Sequence, residues 1–169
     1  MYSDPDFGTY NYCAYDGSGN LFADGENANF NLLAELPQGG STLRDVTLSQ
    51  RLLAFSMQWD GQDLAIATIP DHAHGPTLIE RVQVSGTTAT IIGSTSLDSR
   101  GNRHETQEVQ YWVQGHTVVG PDKVGRRDSF IEFWHYPAGG NPSNVVRDIG
   151  RQPWGVTVSL AGAHARKRR

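Results

Sequence analysis

The side chains best suited by type and spacing to chemistry are Asp71, His72 and His74, in the stretch DHAHGP. Imidazole and carboxylate are ligands that suit zinc and related ions. On a strand His72 and His74 would share a face, since residues two apart point the same way. Pro70, Gly75 and Pro76 make the stretch a loop instead. No third or fourth ligand lies nearby, and His104 with Glu105 would join only through the tertiary fold. Asp71, His72 and His74 are therefore the metal-site candidates, and the default expectation for them is a solvated loop. No motif requires a cofactor; a divalent metal is the one that these side chains would accept.

Other patterns carry less. There is no G-x-S-x-G, and the Ser and His residues are too scattered to define a hydrolase triad. The one cysteine, Cys13, lies in YNYCAYD with no His close in sequence. That setting predicts a buried small hydrophobe rather than a nucleophile. A single cysteine also forms no intrachain disulfide. Asp4 with Asp6, and Asp24 with Glu26, offer the oxygen ligands that calcium takes. Neither pair has EF-hand spacing, and both read as residues of solvated turns. The run Asp16-Gly17-Ser18-Gly19-Asn20 imitates a phosphate loop. A phosphate loop opens a helix, whereas LFAD follows here, so a hairpin is expected. Trp59, Trp112, Trp134 and Trp154 recur at comparable places. They would stack on sugar rings or, as the stronger expectation, fill the space between neighbouring units.

The elements that must hold these residues repeat. LPQGGS at 36–41 returns as YPAGGN at 136–141. YCAYDGSGNLFAD (12–24), MQWDGQDLAIAT (57–68) and YWVQGHTVVGPD (111–122) each read as an aromatic-bearing strand, a polar-Gly turn and an apolar strand. Asp-Gly between apolar runs is a hairpin signal. The turn glycines Gly17, Gly61 and Gly115 are spaced by 44 and then 54 residues. Third strands follow at 30–36, 77–84 and 129–136, and fourth strands at 43–49, 88–97 and 144–150. LIERVQV and FIEFWHY alternate as strands do. Gly (19) and Pro (8) are frequent enough to disfavour long helices. The expectation is an all-β, β-propeller-type chain: four-stranded antiparallel blades near 10–49, 54–97 and 107–150, with a last strand at 153–160. The period lies in the range of propeller blades. A sandwich with regular turns is the alternative.

YDGSGNLFADG followed by LAELPQGGST resembles the NHL-type β-propeller repeat. QWDGQDLAIA, YWVQGHTVVGPD and EFWHYPAGGNPSNVV are similar to secreted bacterial propeller proteins of that broad group. The resemblance covers most of residues 10–160 and rests on turn and core residues. It implies a non-catalytic scaffold that binds a protein or a glycan, from a parent that is secreted or periplasmic. It also keeps open a metal-dependent, lactonase-like hydrolase with a site in the central channel. No catalytic motif of the group falls on particular residues of this chain. DHAHGP (71–76), SRGNRHETQ (99–107) and KVGRRDS (123–129) depart from the repeat, and such loops are where function is added.

Charge narrows the partners. The net charge is −4, and Arg166, Lys167, Arg168 and Arg169 close the chain. Without those four, 10 basic residues face 18 acidic ones, a balance of −8. An acidic body lacks the lysines and arginines that phosphate contacts need, so no nucleic acid is expected on it. Residues 161–169 read as a basic, unordered tail. No run of 18 apolar residues exists, so no membrane span is expected. MYSDPDFGTY shows neither the basic nor the apolar region of a signal peptide. Three blades do not close a ring. Either a homodimer completes it, or further blades of a longer chain do, or the product is incomplete.

Overall fold

The computed structural model describes residues 8–26, 31–68, 76–98, 110–124, 128–147, 149 and 153–159. The strands are β1 (Thr9–Tyr15), β2 (Leu21–Glu26), β3 (Asn31–Leu36), β4 (Arg44–Leu48), β5 (Ala54–Trp59), β6 (Leu64–Thr68), β7 (Thr77–Ser85), β8 (Thr88–Leu97), β9 (Trp112–Gln114), β10 (Thr117–Val124), β11 (Asp128–His135) and β12 (Asn144–Val146). The described residues contain no helix and are all-β, in line with the Gly and Pro content and the alternation.

Within each run of four, successive strands pair antiparallel. β9–β12 form a four-stranded sheet of their own. β1–β4 and β5–β8 do not stay separate. β4 pairs parallel with β8, Thr47 with Thr88 and Leu48 with Ala89, which merges the two runs into one eight-stranded sheet. The end strands of that sheet, β1 and β5, lie against each other, so it is nearly closed and barrel-like. The local turn signals could not announce this join, because a parallel pairing over two residues is set by how the runs stack.

Burial follows from the stacking. β6, LAIAT, is buried along its whole length. A strand covered on both faces reads as a continuous apolar run. Leu64 and Ile66 meet Phe22, Leu33 and Val46 of the first run, together with Met57, Val82 and Ala89. On the opposite face, Ala65 and Ala67 with Phe55, Ile79 and Leu97 meet Tyr111, Val113, Val118, Trp134 and Tyr136 of the small sheet. Size is complementary there: two alanines leave room for large rings. Tyr111 and Trp134 pack edge to face at 6.0 Å between centroids. The indole N–H of Trp134 donates to the Asp98 carbonyl at 3.0 Å.

Side chains replace a ladder between β5 and β9. The Gln58 amide donates to the Tyr111 carbonyl at 2.6 Å and accepts the Val113 N–H at 2.8 Å. Ser56 Oγ bonds both the N–H and the carbonyl of Tyr111 at 3.3 Å. The second and third runs are thus tied edge to edge by two polar side chains.

Several expectations meet a different outcome. Residues 153–159 form no strand; they make one parallel bridge, Gln110 with Gly155. β12 ends at Val146 rather than continuing to 150. Cys13 is exposed, not buried. It points away from the core, while its neighbours Tyr12 and Ala14 pack against it. Of the tryptophans, Trp134 is buried, Trp59 and Trp112 are half-buried, and Trp154 is 68% exposed. Asp71, His72, His74, His104, Glu105, Asp4, Asp6 and the tail 161–169 lie outside the described residues.

Candidate functional site

Tight turns position the polar residues at one end of the first two runs. In the first hairpin Asp16 Oδ1 accepts the N–H groups of Ser18 and Asn20, each at 2.8 Å, and Oδ2 accepts from the Asn20 amide at 2.8 Å. In the second, Asp60 Oδ1 accepts the N–H groups of Gln62 at 2.9 Å and Asp63 at 2.8 Å. Short carboxylate side chains cap turns in this way. The positive φ of the second turn falls on Gly61 (109°), whereas in the first it falls on Gly19 (83°) rather than Gly17. Asn20 also accepts the Gln38 N–H at 2.9 Å, which joins the β1–β2 turn to the β3–β4 turn.

These turns border a cleft of about 250 Å³ between the first and second runs. Asp16, Asn20, Gln62 and Asp63 come from the turns, Trp59 from the end of β5, and Gln83 from β7. Phe22 lines it from β2, and the Glu35–Arg44 pair comes from β3 and β4. Arg44 donates twice to Glu35 Oε2, from Nη2 at 2.7 Å and from Nε at 3.1 Å. The Trp59 indole lies on the first turn: a Cβ on Gly17 would sit 3.5 Å from its Nε1.

Charge in the cleft is uneven. Burial works to raise Asp16, but the hydrogen bonds of its turn outweigh it and hold the carboxyl below its ordinary value. Asp63 moves the other way. Burial and the neighbouring Asp60 charge raise it, and Arg81 offsets only part. Asp60 is held low despite burial, because Tyr136 and two turn N–H groups hydrogen-bond to it and Arg81 lies near. The Tyr136 hydroxyl donates to Asp60 Oδ2 at 2.6 Å, which ties the second turn to the small sheet.

Asp24 and Glu26 do not form a cation site. Asp24 is buried and its Oδ1 accepts the Tyr12 N–H at 2.6 Å, while Glu26 is exposed at the end of β2. Burial pushes the Asp24 carboxyl up to about 6. Among the described residues no three His, Cys, Asp or Glu side chains converge to hold a metal.

Comparison with known protein families, curated proteins and solved structures finds no match. The site therefore stands on its own geometry. Gln62, Asp63 and Gln83 belong to no motif, and Trp59 is half-buried at the cleft rather than fully packed between units. Their one local signal was the repeated Asp-Gly turn, which places Gln62 and Asp63 at a tip. Nothing local tells that the first and second tips face the same cleft.

Proposed function

We propose that this chain is a non-catalytic binding module of β-propeller type, whose ligand sits in the cleft at the turn-bearing end. The propeller reading is supported by the order of packing. Ile79-Glu80 and Ile131-Glu132 occupy the same place relative to the preceding turn: Glu80 pairs with Ile66, Glu132 with Gly120. Both glutamates are buried, at 6% and 0% exposure. Leu64, Ile66 and Val82, on the Glu80 face, pack on the first run, while Val118 and Trp134, on the Glu132 face, pack on the second. Each later run thus turns the same face to the run before it, as stacked blades do.

The observation that carries the binding reading is the cleft itself. Capped turns hold an aromatic ring and several polar side chains around a concavity that is more polar than the usual small-ligand site, which suits a small polar ligand. The test is an array of immobilised peptides and glycans, with parallel assays of lactone turnover in the presence of calcium or zinc. A ligand bound by the wild type and lost in Asp63→Arg supports the proposal. Lactone turnover accompanied by a stoichiometric tightly held metal would overturn it.

A further inference from the structure

Resting on the binding-module reading, we propose that the cleft takes one pyranose ring or an equally small polyhydroxyl group. Its hydroxyls would bond Gln62, Asp63 and Gln83, beside the Trp59 indole. The fold already engages several groups of the cleft. Asp16 and Asn20 are engaged within their turn, and Glu35 and Arg44 with each other. The side chains of Trp59, Gln62, Asp63 and Gln83 make no hydrogen bond to any described residue.

These four form a mixed set. The carboxylate only accepts, the indole only donates, and each amide does both. A hydroxyl also donates and accepts, so a ligand with several hydroxyls satisfies all four. An ammonium or guanidinium only donates. It would satisfy Asp63 and the two amide oxygens and leave the indole N–H facing a second donor. A single metal ion is poorly served, since no three carboxylates or imidazoles among the described residues converge. Size agrees: about 250 Å³ falls just below the roughly 300–1,000 Å³ that encloses drug-sized ligands. An aromatic side chain adds an apolar surface for the C–H face of a sugar ring.

The experiment is an amide-resonance titration of the full chain with a panel of methyl pyranosides. N-acetyl-lysine methylamide and N-acetyl-arginine methylamide serve as cationic probes, at low and high salt. At least one pyranoside is expected to shift the Gln62, Asp63 and Gln83 amides, saturating in the millimolar range without dependence on salt. Asp63→Asn and Gln83→Ala should each weaken that binding, Asp63→Asn by about tenfold, with the remaining resonances unmoved. If only the cationic probes shift these amides, and salt abolishes the effect, the saccharide inference falls and the binding-module reading stands. Pyranoside binding that both variants leave unchanged also overturns it. If no probe moves these amides, the cleft is not a sugar site, and the array result alone decides the broader reading.

Discussion

Replacing Asp24 by Asn is expected to stabilise this chain at neutral pH and to flatten its stability across mildly acidic pH. Asp24 lies on β2, 6% exposed, on the face turned toward the second run. Burial raises its carboxyl from an ordinary 3.8 to about 6, against the Tyr12 N–H bond, which works to lower it. The folded-state value lies above the unfolded one, so the folded chain holds the proton across the window between them. Stability therefore falls as pH rises through that window and levels off above it. A rise of about two units is worth at most about 3 kcal/mol at 1.36 kcal/mol per unit. Local relaxation and solvent entry near the end of β2 reduce this to about 1–2 kcal/mol. Asn keeps an oxygen for the Tyr12 N–H and removes the charge. The assay is urea unfolding of both proteins from about pH 4 to pH 7.5 at fixed ionic strength. Glu80 and Asp63 are also raised by burial, so the quantity to follow is the difference between the two proteins at each pH. A variant less stable than the wild type at neutral pH, or a difference that does not change with pH, would refute the reasoning.

Gln58→Ala removes the two bonds that its amide makes to the Tyr111 carbonyl and the Val113 N–H, leaves Ser56 on Tyr111, and should cost about 1–3 kcal/mol, chiefly for the Val113 N–H left unpaired; urea unfolding measures it, and a loss under about 0.5 kcal/mol would show that water replaces the amide without cost. Gly120→Ala drives a methyl into the buried Tyr111 ring, with an expected cost of about 1–3 kcal/mol from overpacking and a changed near-ultraviolet circular dichroism signal. An unaltered signal with unaltered stability would place the ring elsewhere.

Much of the secondary structure was legible in the residues. Alternation in LIERVQV and FIEFWHY places β7 and β11, and the Asp-Gly pairs place the first two hairpins. These are local signals: period-two patterning and turn chemistry act over a few residues, so the chain states them without reference to its fold. Packing between units was the expectation for all four tryptophans; Trp134 meets it and the exposure of Trp154 was not legible, because the ring is the same and only what packs on it differs. Cys13 misled for the same reason. Its flanking aromatics suggest a core, but one step along β1 turns the side chain outward.

The candidate site divides in the same way. The sequence alone determined that the chain is built of strands, where the tight turns fall, and that carboxylates cap two of them. Short-range sterics and hydrogen bonds decide those features. Only the tertiary structure decided that β4 meets β8 in parallel, that Gln58 bonds Val113 of β9, 55 residues away, and that Asp63, Gln83 and Trp59 border one cleft. Those outcomes depend on which faces stack and at what register. Stacking is governed by the summed fit of side chains from distant segments, such as Ala65 and Ala67 against Tyr111 and Trp134, and no single stretch of sequence contains that fit.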